Sequence, residues 1–243
     1  MKCRIIVWMA LSLMVAACSN GGRRVADDAD AAEPSAWVQP PHIDGLSRDG
    51  QTLIVRGGAG PNARVVLRRA NGEAVAGTAD AAGRFELRLP ALSGDVLFRP
   101  EVQVGEDAAV APETLVIVQG GTGPVALVAA GQPSTRLDAH GLLETVDFDG
   151  KALAASGQSS GGLPTVVVDG VRARVWAGGG HAWRAMSSDA GARSLTVDGH
   201  VFSLPDLNGG GSLTMRRAGE GWLLTVPVAP KGHQTTWLPD IRP

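Results

Sequence analysis

The sequence predicts an all-β protein with two tandem β-sandwich domains, and three observations support this prediction. From Ile43 onward, short apolar and β-branched runs alternate with Gly, Asp and Asn turn signals about every 8–12 residues, a spacing typical of sandwiches. No segment after Cys18 has the periodicity of an amphipathic helix. The pattern of the first half also recurs about 100 residues later.

The N-terminal residues have the layout of a secretory signal peptide. Lys2 and Arg4 supply positive charge, and the apolar run at 5–17 is shorter than the about 20 residues that a membrane-spanning helix needs. The run leads into the sequence VAAC at positions 15–18, which resembles the lipobox of bacterial lipoproteins.

This resemblance implies that residues 1–17 are removed and that Cys18 carries the lipid. Two or three acyl chains on one residue anchor a protein stably, whereas a single chain does not. Ser19 follows the cysteine where an aspartate would favour inner-membrane retention, so it favours the outer membrane. The sequence therefore predicts a cell-envelope protein whose first partner is a membrane, through Cys18.

The charge balance disfavours nucleic acid as a partner. The chain has 22 Lys and Arg against 24 Asp and Glu, a net charge of −2. Loss of Lys2 and Arg4 with the signal makes the mature protein more acidic, so no general basic field remains. Cys3 leaves with the signal and Cys18 is acylated, so the mature chain cannot form a disulfide. Packed cores must supply its stability.

A flexible tether is predicted between the anchor and the folded part. Residues 19–41 are small, charged or proline, without apolar periodicity. A flexible chain of this length spans about 26 Å on average, which keeps the folded part close to its membrane. The predicted organisation is a signal peptide at 1–17, a lipid-anchored tether at 18–41, a sandwich at 42–130 and a divergent sandwich at 131–243 that ends in a tail after Pro227.

The first sandwich is predicted from six β-type runs. Asn71-Gly72 lies between the second and third runs and predicts a two-residue hairpin turn, because both residue types tolerate positive φ. The runs are Thr52–Val55, Arg64–Arg69, Glu73–Ala79, Arg84–Leu89, Val96–Val104 and Glu113–Val118.

The second half repeats landmarks of the first. Asp49-Gly50, Leu53 and Gly57 have counterparts at Asp149-Gly150, Leu153 and Gly157, and the Gly83–Phe85 segment corresponds to Gly180–Trp183. Three hairpins are predicted there, with turns at Asp169-Gly170, Asp198-Gly199 and Ala218–Glu220.

The stretch from Asp49 to Pro90 resembles the bacterial Ig-like modules of envelope and surface proteins. It contains a strand ending in Gly57, the turn at 57–63 with its Gly-x-Gly-Pro-x-Ala pattern, a Val-rich strand and the Asp-x-x-Gly-Arg-aromatic segment at 80–85. The second half matches only loosely. The resemblance implies two tandem Ig-like sandwiches that act as spacers or binding units, and it implies a fold more than an activity.

One motif raises the alternative of an enzyme. Residues 157–161 match the Gly-x-Ser-x-Gly nucleophile elbow, and Ser159 would be the nucleophile of an esterase-like hydrolase. That motif requires a strand running into a helix, whereas here Gly162-Leu163-Pro164 and another β run follow, which favours a turn. The five histidines show no metal-ligand spacing, so the sequence predicts no metal site and no cofactor.

A candidate binding face is predicted on the hairpin around Asp169-Gly170. Alternation along a continuous second strand places Arg172, Arg174 and Trp176 outward, with Thr165 opposite Arg174. An aromatic platform beside two guanidinium groups suits an anionic glycan or the carboxylates of an envelope protein. The predicted inner face consists of Val166, Val168, Val171, Ala173 and Val175.

The competing interpretation is that a bulge near Gly178 turns Trp176 into the core while both arginines are merely solvated. The leading prediction for function is a non-catalytic envelope lipoprotein, acting as a structural spacer or as a binding module for glycan or protein.

Overall fold

The computed structural model describes residues 38–105, 107–208, 213–228 and 232–241. Within these ranges the regular structure is β-strand, apart from one short 3-10 turn at Gln119–Gly121, so the prediction of an all-β protein is confirmed. The predicted signal peptide, Cys18 and most of the tether lie outside the described residues. In the part that is described, no helix has the length and apolar character needed to cross a membrane.

The described strands of the N-terminal half form two sheets. They are β1 His42–Asp49, β2 Thr52–Gly58, β3 Arg64–Arg68, β4 Ala74–Thr78, β5 Arg84–Leu89, β6 Val96–Val104, β7 Asp107–Val110, β8 Glu113–Ile117, β9 Val125–Ala129 and β10 Thr135–Arg136. Sheet I has the order β1-β2-β5, and sheet II has the order β10-β9-β8-β6-β3-β4 with β7 on β6. Val55 and Phe85 from sheet I and Leu67 and Phe98 from sheet II share one core.

The C-terminal half repeats this arrangement with different sheet sizes. Its described strands are β11 Thr145–Phe148, β12 Leu153–Gln158, β13 Val166–Val168, β14 Val171–Arg172, β15 Arg174–Gly179, β16 Ala182–Ser187, β17 Ser194–Val197, β18 His200–Ser203, β19 Thr214–Arg217, β20 Gly221–Val228 and β21 Gly232–Pro239. Sheet III has the order β15-β16-β12-β11-β21-β20-β19, and sheet IV has the order β14-β13-β17-β18. Phe148, Trp183 and Trp237 from sheet III pack with Leu195 from sheet IV in a second core.

The internal repeat is visible in strand register. Leu46 pairs with Val55 between β1 and β2, and Val146 pairs with Ala155 between β11 and β12. Gly57 lies opposite Phe85 in the first half. The same neighbour relation recurs in the second half, where Gly157 of β12 lies opposite Trp183 of β16.

Of the four predicted hairpin turns, two have the expected two-residue geometry, the turn at 218–220 joins β19 to β20 with Arg217 opposite Trp222, and one has a different loop length. Asp169-Gly170 has φ of 44° and 83°, and Asp198-Gly199 has φ of 45° and 84°, as a two-residue type I′ turn requires. The two-residue turn predicted at Asn71-Gly72 is wrong. Arg69 N–H donates to the Glu73 carbonyl, which leaves a three-residue loop in which only Gly72 has positive φ.

The segment after Pro227 is a strand within a sheet, where the sequence predicted a tail. β21 lies between β11 and β20, and its Trp237 pairs with Val146 on one side and Leu223 on the other. The sequence does not indicate this strand because its central residues are polar. Gln234, Thr235 and Thr236 are nevertheless all buried.

The outer faces of sheets II and III pack against each other. Val116, Ala126 and Val128 from β8 and β9 meet Leu224 and Leu238 from β20 and β21 in a third apolar cluster. The strands of both halves therefore belong to one compact unit. Beyond this contact, β12, β16 and β15 of sheet III carry partly or fully exposed residues on their outer face, such as Ala154, Arg184 and Trp176.

Candidate functional site

The predicted binding hairpin divides between two sheets. Val167 pairs with Arg172 across the turn at 169–170, as predicted. Ala173 N–H then donates to the Val166 carbonyl at 2.9 Å, and the chain leaves sheet IV.

The next strand, β15, belongs to sheet III. Its Arg174 pairs with Met186 of β16, so the predicted pairing with Thr165 is wrong. Arg174 and Trp176 share one sheet face, and Arg172 lies on the other sheet. Of the three residues predicted to share a face, only Arg174 and Trp176 therefore do so.

A bulge is present near Gly178, but it does not bury Trp176. The β15–β16 register shifts between Ala177 and Gly179, whereas Trp176 precedes the shift and still pairs with Arg184. The Trp176 side chain stays on the outer face with 36% of its surface exposed. The prediction for Val171 also fails, because 68% of this residue is exposed at the tip of the edge hairpin.

Cross-strand pairing brings two further residues to Trp176. Arg184 lies directly opposite Trp176, and Met186 lies opposite Arg174 and, on its other side, opposite Ala154 of β12. Neither residue belongs to the face predicted from the sequence. The available signal was the alternation along β16, where Trp183 and Ala185 enter the core and Arg184 and Met186 point away from it.

These side chains line a surface groove, the Trp176 groove. Its outer part has a volume of about 570 Å³ and is bounded by Arg174, Trp176, Met186 and the 187–188 serines, with Ala152 at its base. An adjoining recess of about 200 Å³ continues over β12 and β11. The far wall of this recess is the connecting segment 131–133.

The charges around the groove are arranged unequally. Arg174 and Arg184 have no hydrogen-bond or ion-pair partner among the described residues. Arg217, which does not line the groove, is by contrast bound twice by the Asp240 carboxylate at 2.7 Å. Asp149 borders the recess. Hydrogen bonds from the backbone N–H groups of Ala152 and Lys151 hold the pKa of Asp149 below its usual range, so it is ionised at neutral pH.

Beneath the recess lies a buried carboxyl group, Asp147 of β11. It accepts hydrogen bonds from Ser134 N–H at 2.8 Å and from the hydroxyls of Ser134 and Thr236, both at 2.6 Å. The Gln234 amide donates a fourth at 3.2 Å. Burial raises the pKa of Asp147, and these hydrogen bonds oppose that rise.

The same network fixes the segment that connects the two halves. Gln234 accepts from Gly131 N–H at 2.9 Å and donates to the Gln132 carbonyl at 3.0 Å. Further on, Arg136 donates twice to the Asp138 carboxylate at 3.0 Å. The far wall of the groove is therefore held by hydrogen bonds rather than left as a loose linker.

Ser159 lies where a turn begins. β12 ends at Gln158, residues 160–161 form a turn, and no helix follows before β13 begins at Val166. Ser159 N–H donates to the His181 carbonyl at 2.9 Å. No hydrogen bond joins the Ser159 hydroxyl to a histidine among the described residues. The strand-to-helix geometry of a nucleophile elbow is not formed around this serine.

No protein-family model matches the sequence, and no curated protein is significantly similar to it. Within the described ranges, no group of three or more His, Cys, Asp and Glu side chains could hold a metal ion. The Trp176 groove is the feature from which a function can be argued.

Proposed function

We propose that this chain is a non-catalytic cell-envelope lipoprotein, anchored through Cys18, that binds an envelope glycan or protein with the Trp176 groove. The lipobox-like N-terminus supports the anchor, and Ser19 supports the outer membrane as its site. The groove supports the binding role. Binding here requires neither a cofactor nor a metal.

Two tandem Ig-like modules are the fold that we propose for the body of the protein. The order β1-β2-β5 opposite β8-β6-β3-β4 matches the division of Ig-type strands between two sheets. In the C-terminal half, β11-β12-β16-β15 opposite β14-β13-β17-β18 supports the same assignment, with the chain switching sheets after β14.

The contact between the two halves favours a binding role over a spacer role. The modules meet through sheet faces, and the polar network around Asp147 fixes their connecting segment. Stacking two modules face to face adds little length, whereas a spacer needs length. It does give a rigid support to the exposed part of sheet III, and rigid elements position binding groups well.

The observation that carries the proposal is the exposed Trp176 between two unpaired arginines. Large aromatic side chains and arginine dominate the energetics of binding surfaces. Most other described arginines, such as Arg68 and Arg136, are matched with a carboxylate. Arg174 and Arg184 are left available to a ligand, beside the apolar Met186.

Replacing Trp176 with alanine should abolish ligand capture while leaving the fold intact. A photo-crosslinking amino acid in place of Ser188, at the groove edge, should give adducts in intact cells that disappear in Trp176→Ala. Because Trp176 lies on the outer face, we expect the substitution to lower the unfolding free energy by less than about 1 kcal/mol.

The matched controls are a crosslinker in place of Glu73, on a hairpin of the other half, and the variant Arg172→Gln. The first should give no Trp176-dependent adducts, and the second should leave the adducts unchanged. A loss of 3 kcal/mol or more in Trp176→Ala, the range of an emptied core aromatic site, together with unchanged adducts, would show that the residue is structural.

Replacing Cys18 with serine should leave an uncut precursor that carries no lipid, because the cysteine sulfur is the atom that is acylated. Mass spectrometry of the membrane fraction should find the wild-type chain starting at an acylated Cys18. A mature chain with an unmodified Cys18 would contradict the anchor.

A further inference from the structure

We propose that the Trp176 groove recognises a carboxylated saccharide, that is, a chain containing uronic-acid-type sugars. This inference rests on the function proposed above and specifies its ligand. Three features carry it: an exposed aromatic platform, unpaired guanidinium groups on one side, and the Asp149 carboxylate on the other.

The platform is formed by Trp176 with Met186 diagonally across the strand pair. Trp176 pairs with Arg184 and Met186 pairs with Arg174, so the apolar and cationic side chains alternate across two strands. A pyranose ring has an apolar C–H face and polar edges. It can therefore pack on the indole while its substituents reach the flanking polar groups.

The two arginines favour a carboxylate. A guanidinium group is planar and binds a carboxylate through two parallel hydrogen bonds, and such charge-assisted bonds are stronger than neutral ones. Arg174 is exposed and Arg184 is half-buried, and neither has an acid partner in the described structure. A ligand carboxylate would provide the missing counter-charge.

The opposite side of the groove favours hydroxyl groups on the same ligand. The Asp149 carboxylate borders the recess, and its backbone hydrogen bonds keep it ionised at neutral pH. An anionic acceptor attracts hydroxyl donors and repels a densely charged ligand such as a phosphate dianion. The ligand that satisfies both sides has few negative charges and many hydroxyls, as a uronic acid does.

The shape of the groove agrees with an extended ligand. Ala152 and Ala154 form a low floor between the β15–β16 wall and the segment at 131–133. The outer part, at about 570 Å³, has the size of a small-molecule site. The adjoining recess allows the ligand to continue beyond one sugar.

A second aromatic–arginine pair provides a comparison, because its groups are already bound within the protein. Arg217 lies 5.5 Å from the ring centre of Trp222, and its guanidinium group is bound by Asp240. Both the ring and the cation are therefore occupied by the protein itself. At Trp176 the corresponding groups are open.

The test is calorimetric titration of the lipidated protein in nonionic detergent. Hexamers of galacturonate, mannuronate and hyaluronate serve as acidic probes, and the methyl ester of each hexamer is its matched neutral probe. We expect at least one acidic hexamer to bind, and its ester to bind about tenfold more weakly, the loss typical of one charge-assisted bond. Arg174→Gln and Arg184→Gln should each weaken acidic binding by about the same factor.

Trp176→Ala should abolish binding and Trp176→Phe should restore part of it, while Arg172→Gln should leave it unchanged. Thermal unfolding of each variant verifies that it is folded. Failure of all three acidic hexamers to bind would overturn the inference, as would equal binding of the ester or an equal loss in Arg172→Gln. Competition by inorganic phosphate as strong as by galacturonate would also overturn it, because the groove would then be a general anion site.

These outcomes separate the ligand class from the proposed function. If crosslinks from position 188 depend on Trp176 but no acidic hexamer binds, the inference fails and the binding role stands. If the crosslinks do not depend on Trp176 and no hexamer binds, both fail.

Discussion

Replacing Gly157 with alanine should destabilise the protein by about 3 kcal/mol or more, among the largest effects of a single methyl group. A Cβ atom at this position would lie 2.1 Å from the Leu142 carbonyl oxygen and 2.7 Å from its carbon. Both are backbone atoms, so no side-chain rotation relieves the clash. The cross-strand neighbour Trp183 also donates its indole N–H to this carbonyl at 3.2 Å, so a shift of the backbone would break that bond.

Denaturant unfolding of Gly157→Ala and Gly161→Ala would check this expectation. Gly161 lies four positions along the chain, and a Cβ atom there would meet nothing within 4 Å. Its substitution should change the unfolding free energy by no more than about 0.5 kcal/mol. Equal unfolding midpoints for the two variants would show that β12 does not pass this close to residue 142.

Gly57 has the same constraint in the first half, where a Cβ atom would lie 2.0 Å from the His42 carbonyl oxygen. The two glycines stood out in the sequence because they recur about 100 residues apart. The structure supplies the reason: in each half, the strand passes so close to a preceding segment that no side chain fits. Here a repeat read from sequence corresponds to a repeated packing requirement.

Local chemistry explains which parts of the fold could be predicted. Asp169-Gly170 and Asp198-Gly199 favour one turn type strongly, and the strands on both sides follow from them. At Asn71-Gly72 the same reasoning gave the wrong loop length. There the register is set by the pairing of Arg69 with Glu73, which the turn residues do not encode.

Non-local pairing explains what the sequence could not provide. The alternation from Val171 to Trp176 is continuous, so nothing in it shows that the chain changes sheets at Ala173. That change removes Arg172 from the candidate face and brings in Arg184 from a strand farther along the chain. β21 was missed for a related reason: the polar Gln234 and Thr236 are buried because they bind Asp147, a partner distant in sequence.

Replacing Asp147 with alanine should cost about 3 kcal/mol or more of unfolding free energy, because several buried donors would lose one acceptor together. These donors are the N–H and hydroxyl of Ser134, the hydroxyl of Thr236 and the amide of Gln234. Asp147→Asn keeps the size and one acceptor oxygen, so its loss should be smaller. Chemical denaturation of the three proteins at one pH would measure both differences.

The pH dependence of this difference tests the state of the buried carboxyl group. Burial raises the pKa of Asp147 in the folded protein, so the folded state holds its proton more tightly than the unfolded chain does. The resulting stabilisation is fully present below the unfolded pKa, about 3.9, and is lost as the pH rises through the raised folded value. The stability of the wild type relative to Asp147→Asn should therefore fall as the pH is raised from about 4. Carboxylates with a lowered pKa, such as Asp80 and Asp169, make the unfolding free energy rise with pH. Both proteins contain them, so their contribution cancels when the two unfolding free energies are subtracted. A difference that grows with pH would mean that the four hydrogen bonds outweigh burial and hold Asp147 as a carboxylate.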